Sequence, residues 1–232
     1  MKHMLSSALF AGIAAGLLCA VLQYFLVEPK ILLAERYESR ELVHFQGVAA
    51  ESSSSSMKGM VMPAQEPVDP WRRYQTVFFA VVTYSGYGLV MMGGIQTAET
   101  FGIKLEPRQG LLLGLAGFLA FQLMPALGLA PELPGTPAAD LDARQFWWVG
   151  TAICTLVGLG FAAYGTALWQ QALGVGLLAA PHIWGAPALP TFGGVVPPEL
   201  AASFAARSLA VGLFTWLTLG GLLVRFWTAK PR

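Results

Sequence analysis

Charge is what this sequence has least of. Of 232 residues only 12% are Asp, Glu, Lys or Arg, where a soluble domain carries about 25%. That excludes a soluble globule, whose surface these few ionic groups could not cover, and a disordered chain, which needs charge and few apolar residues. The 14 basic and 13 acidic residues nearly cancel, so there is no phosphate-seeking basic surface and no nucleic-acid partner is expected. Cysteine is scarce as well. Cys19 and Cys154 both sit in apolar runs and read as small buried hydrophobes, not as a disulfide or a thiolate site. The chain has no G-x-x-x-x-G-K-[ST], no H-E-x-x-H, no G-x-S-x-G and no C-x-x-C. An enzyme reading therefore has no catalytic constellation to rest on, and no tightly bound cofactor is expected.

What the sequence has in abundance is apolar length. Hydrophobic residues make up 55%, and the mean hydropathy is +0.58. About 20 apolar residues cross a hydrocarbon core as a helix. Met4–Val27, Tyr74–Ile95, Gly110–Leu129, Phe146–Leu168 and Phe204–Trp227 meet that length. The first run lacks an A-x-A site and ends at Glu28-Pro29, which reads as an uncleaved span. Trp169–Ala180 is shorter and meets Pro181, so it reads as a thin crossing or a re-entrant segment. The expected fold is all-α: a polytopic membrane helix bundle of five to six transmembrane helices, with residues 1–232 forming one transmembrane domain.

Charge placement chooses between the counts. Lys2 lies at the start, Arg225, Lys230 and Arg232 at the end, and Lys104 and Arg108 between the second and third spans. An even count puts all three groups in the cytoplasm, as the positive-inside rule prefers. The six Lys and Arg of residues 28–73 then lie outside, against the rule, though seven acids offset them. With six crossings the three outer loops hold 11 of the 13 acids and two of the three histidines. Loop 28–73 is extracytoplasmic in this reading and carries a flexible Ser52–Ser56 linker. Gly12-x-x-x-Gly16 and Gly110-x-x-x-Gly114 offer close helix approach.

Several groups could carry chemistry. Glu38, Glu41 and His44 are spaced three apart and would share a helix face, a carboxylate–imidazole set suited to Co²⁺, Ni²⁺ or Zn²⁺. Lys30, Arg36 and Arg40 are interleaved, which equally suits a solvated charged helix. Met57, Met60 and Met62 are a thioether cluster that would suit Cu(I) or serve as apolar contacts. His182, beside Pro181, would coordinate a metal, relay a proton or anchor the interface. Thr136 and Pro137 suit the start of a helix in which Asp140 and Arg144 form an i, i+4 pair and Trp147-Trp148 the interface belt. Glu199, Ser203 and Arg207 follow at i, i+4, i+8. Arg207 would snorkel at the outer boundary or, if it points inward, pair with Asp140 or Glu199. Gln23, Thr83, Tyr84, Ser85, Gln122, Thr151 and Thr155 are polar groups within the spans, lining a path or bonding between helices. No Asp, Glu or Lys lies at an expected bilayer midplane, which disfavours a proton-coupled pump.

The run Pro131-Glu132-Leu133-Pro134-Gly135-Thr136-Pro137-Ala138-Ala139-Asp140-Leu141-x-Ala143-Arg144-Gln145-x-Trp147-Trp148 resembles a signature of the CbtA family of proposed cobalt-transporter membrane subunits. Ala180-Pro181-His182-x-x-Gly185-Ala186-Pro187 and Val196-Pro197-x-Glu199-Leu200-Ala201-x-x-Phe204 resemble two further patches of it, as does the start with Ala15-Gly16, Gln23, Glu28-Pro29 and Glu35. The resemblance implies a multi-pass protein of the bacterial inner membrane that takes part in Co²⁺ uptake linked to cobalamin synthesis, with a small single-span CbtB-like partner and, possible for such a subunit, homo-oligomers. It carries over Asp140, Arg144, Gln145, His182 and Glu199 as motif members. Acids and His44 outside would collect the ion, and His182, Asp140 and Glu199 would guard its mouth. A non-transporting assembly subunit and a copper-handling protein are the competing readings.

Overall fold

The computed structural model describes residues 1–42, 69–103, 105–189 and 193–229. Every regular element among them is helical: α1 (Lys2–Leu26), α2 (Glu28–Glu38), α3 (Pro70–Thr100), α4 (Gln109–Ala126), α5 (Leu141–Tyr164), α6 (Leu168–Trp184) and α7 (Pro198–Thr228). Five of these, α1, α3, α4, α5 and α7, are long and apolar enough to cross a membrane, so the protein is an all-α, multi-pass helix bundle.

Apolar burial drives no helix association inside lipid, so close packing of small residues must do it. The helices pair accordingly. Ala8, Ala11, Gly12, Ala15 and Gly16 form the buried face of α1. A Cβ added at Gly16 would sit 2.5 Å from the Val81 Cα of α3, and one at Gly88 of α3 would sit 2.7 Å from the Ala8 carbonyl oxygen. The α4–α7 pair repeats the device, with a Cβ on Gly110 falling 2.6 Å from the Gly220 carbonyl oxygen. In both pairs the register runs backwards, so the partners are antiparallel.

Chain direction settles the crossing number. His3 stacks on Trp227 at 5.4 Å, and the Trp227 indole donates to Glu99 at 2.8 Å. The start of α1 and the ends of α3 and α7 therefore share one face. On the opposite face Arg72 and Arg73 of α3 pair with Glu35 and Glu28 of α2, and the Arg207 guanidinium of α7 donates to the Leu26 carbonyl at 3.3 Å. Gly128 abuts Trp147 of α5 there. Helix α5 thus begins on that second face and ends on the first, while α7 begins on the second. Helix α6 must bring the chain back. It runs antiparallel along α5: Gly158 faces Gly174, and the Trp147 indole donates to the Pro181 carbonyl at 3.2 Å. Its 17 residues rise about 26 Å at 1.5 Å each. The short run Trp169–Ala180 is thus a sixth crossing, and the helix continues through Pro181 to Trp184 where the hydropathy suggested a stop.

Other expectations shift. Pro29 does not end the helical course. The chain bends at Val27, and α2 carries on to Glu38. Glu41 lies beyond that helix and pairs with Arg36 at 3.2 Å, so Glu38 and Glu41 do not share a helix face. His44 and the cluster Met57, Met60 and Met62 lie outside the described residues. Helix α5 begins later than Thr136: Asp140 is its N-cap and accepts from the Ala143 amide at 3.0 Å. With its carboxylate spent there, Asp140 does not pair with Arg144. Thr151 and Thr155 donate to the Trp147 and Thr151 carbonyls of their own helix, not across helices. Cys19 is buried and Cys154 is half-exposed, both as free thiols, so the buried reading holds for Cys19 alone.

Candidate functional site

The third span contains a fault that builds the site. Pro125 has no N–H for the Phe121 carbonyl, and its ring would crowd that carbonyl in a regular helix. The chain widens into a π-turn over Leu119–Leu123, where the Met124 amide donates to the Leu119 carbonyl. Such turns recur at functional sites. This one carries Gln122, whose carboxamide lies against Gly212 so closely that a Cβ there would overlap its oxygen.

Two open clefts share Gln122. One, of about 530 Å³, lies among α1, α3 and α4. Its walls carry Gln23, Gln75, Thr76, Thr83, Tyr84 and Tyr87, with Arg72 at the outer end. The Gln23 amide donates to the Cys19 thiol at 3.3 Å. At that outer end Arg72 pairs with Glu35, while the neighbouring Glu28–Arg73 pair lines a separate small pocket. The other, of about 730 Å³, lies among α4, α5 and α7. Glu132 and Arg144 form an ion pair at 2.9 Å in its upper wall, and Gln145 and Ser208 also line it. The Arg144 Nε, the Ser208 Oγ and the Gln122 Oε1 are buried without a hydrogen-bond partner.

An aromatic cluster lies between the two cavities, reaching the larger through Phe121 and the smaller through Tyr87. The Trp216 ring stacks on Phe121 at 5.5 Å and meets Tyr87 at 4.7 Å. Towards the face that holds the termini, Met92, Ile95, Leu219, Leu223 and Val224 are all buried. The bundle is thus cleft in one half and closed by apolar packing in the other.

The residues expected from sequence sit around this hollow half without converging. His182 lies in the last turn of α6 with its ring edge on Trp147 at 6.0 Å, and its Nε2 has no partner. Asp140 caps α5 and is exposed. Glu199 is exposed in the first turn of α7, and Glu38 is exposed at the end of α2. Arg144 and Gln145 line the larger cavity. Arg207 is held by the Leu26 carbonyl and pairs with neither Asp140 nor Glu199. Among the described residues no three His, Cys, Asp or Glu side chains gather as a metal site. Sequence reading overlooked Glu132 as the partner of Arg144, Ser208 as a lining group, and Gln122 as the junction. The signals available were the acid beside Pro131 and the lone carboxamide just before Pro125.

The fold is thus that of a multi-pass membrane helix bundle with clefts in one half. The chain belongs to the CbtA family: the family model described as "Probable cobalt transporter subunit (CbtA)" matches residues 1–228. Neither a curated protein nor a solved structure matches it.

Proposed function

We propose that this chain is the membrane subunit of a Co²⁺ uptake system in a bacterial cytoplasmic membrane, serving cobalamin synthesis, with both termini in the cytoplasm. The observation that carries the reading is the family match over residues 1–228. The cavity of about 530 Å³ supports it, since Gln23, Thr83, Tyr84 and Gln122 offer neutral oxygens to a hydrated cation. In the proposed route Glu38, Glu41 and His44 gather the ion outside, and His182, Asp140 and Glu199 stand singly around the mouth. Single ligands hold an ion loosely, as passage requires. The apolar seal around Trp216 needs a conformational step, and a small single-span CbtB-like partner, or a second copy of this chain, is the proposed means of driving it.

The test is accumulation of radiolabelled Co²⁺ by cells that express the chain with that partner, compared with empty membranes. Uptake that falls on His182→Ala and on Tyr84→Phe supports the reading, and uptake no higher than in empty membranes overturns it. A second reading, a non-transporting assembly subunit, is favoured by the sealed half and by the absence of a three-ligand cluster among the described residues. It predicts uptake that needs the chain but ignores both substitutions. Copper handling rests on the cluster Met57, Met60 and Met62 alone, and unchanged Cu(I) binding in the Met60→Ala, Met62→Ala double variant removes it.

A further inference from the structure

The larger cavity does not suit a metal ion. Its one acid, Glu132, is already neutralised by Arg144 at 2.9 Å. Much of its wall is apolar or aromatic: Phe121, Leu129, Trp148, Val149 and Leu209. At about 730 Å³ it falls in the range that holds an organic molecule, roughly 300–1,000 Å³.

Its position narrows the class. No Cα of α5 comes within 8 Å of one in α7, so the cavity is a gap between two membrane helices. Leu141 and Val149 on its α5 wall are exposed, which opens the gap sideways to the bilayer. The polar end lies at the outer end of α5, where Glu132 and Arg144 pair; Trp147 and Trp148 are turned inward there, onto His182 and Phe121, and form no lipid-facing belt. The gap is also short. Along α5 the lining runs from Leu141 to Val149, a rise of about 12 Å at 1.5 Å per residue. That is close to one leaflet, about half of a roughly 30 Å core. A partner helix would need a groove through both leaflets.

We infer that this gap binds one phospholipid of the leaflet opposite the termini, and that the headgroup it selects is phosphatidylethanolamine. The ion pair supplies both complements. The unpartnered Arg144 Nε–H donates to the phosphate, Glu132 accepts from the primary ammonium, and the unpartnered Ser208 hydroxyl, deeper in the gap, donates to an ester carbonyl. The acyl chains follow Leu129, Val149 and Leu209. Phosphatidylcholine has no ammonium N–H for Glu132, and phosphatidylglycerol has no cation at all.

The experiment is native mass spectrometry of the full chain released from micelles doped equally with phosphatidylethanolamine, phosphatidylcholine and phosphatidylglycerol. One retained phosphatidylethanolamine, favoured about tenfold, is the scale of one charge-assisted hydrogen bond. Arg144→Gln should lower retention of all three lipids, and Glu132→Gln should remove the preference while phosphatidylglycerol still binds. Leu209→Trp fills the gap without touching the ion pair. It should abolish retention with helicity unchanged, which covers the case where Arg144→Gln fails to fold. Equal retention of the three lipids, no retained lipid, or retention indifferent to Leu209→Trp overturns the inference. Lipid retention is read without cobalt, so its outcome is separate from that of the uptake assay.

Discussion

Gly16→Ala and Gly86→Ala are the same chemical change on two membrane helices, and the packing predicts opposite outcomes. Each adds one methyl and raises intrinsic helix preference by roughly 1 kcal/mol, a value measured in water. At Gly86 the added Cβ meets nothing within 4 Å, so only the gain remains. At Gly16 it lies 2.5 Å from the Val81 Cα and 2.8 Å from the Ala80 carbonyl oxygen. Both are backbone atoms of α3, and neither can rotate away. Ordinary carbon contacts lie at about 3.5–4.0 Å, so the helices must part by about 1 Å, and a gap of that size forfeits a quarter to a half of each contact across the seam. Overpacking of this kind costs about 1–3 kcal/mol, which outweighs the propensity gain. In a chain of this length 1 kcal/mol moves the melting temperature by roughly 2–4 °C. Thermal unfolding of the detergent-solubilised protein, followed by size-exclusion of the surviving monodisperse fraction, should show Gly16→Ala melting several degrees below the parent and Gly86→Ala at or above it. Equal shifts in the two variants would refute the claim that α1 and α3 are held by backbone contact through glycine.

Two further outcomes are expected. In a background of Cys19→Ser and Cys154→Ser, a single cysteine at Ala229, just after α7, should react with a membrane-impermeant maleimide from the same side as one at Gly102, since α4, α5, α6 and α7 lie between them. Labelling from opposite sides would mean that α6 or one of its neighbours does not cross. Asp140→Ala should cost about 1 kcal/mol by removing the α5 cap, and Asp140→Asn should restore most of it. Cobalt uptake in the two variants then separates the cap from a metal ligand, since an asparagine caps well but binds a divalent ion poorly.

Much of the architecture is local information. Crossing segments announce themselves because each helix must satisfy its own backbone in lipid and show apolar side chains around most of its surface. The runs around Gly12, Tyr84, Gly114, Thr155 and Gly212 were therefore legible as spans, and Gly12 and Gly16 as an approach face. The candidate site was less legible because its pairings join distant segments. Arg144 has acids at Asp140 and at Glu132 within reach along the chain. Which one it meets depends on where α5 starts, and the Asp140 cap decides that against the i, i+4 pair.

The sequence by itself determined a membrane-threaded helical protein, its family and the presence of polar groups such as Gln122 within a span. Tertiary structure alone decided that Gln122 sits in a π-turn where two cavities join, that Trp216 packs between Phe121 and Tyr87 beside them, and that the short run ending in Pro181 is a crossing. The reason is physical. Hydropathy acts residue by residue against lipid, whereas a cavity exists only where antiparallel helices, set in register by their glycines, fail to touch.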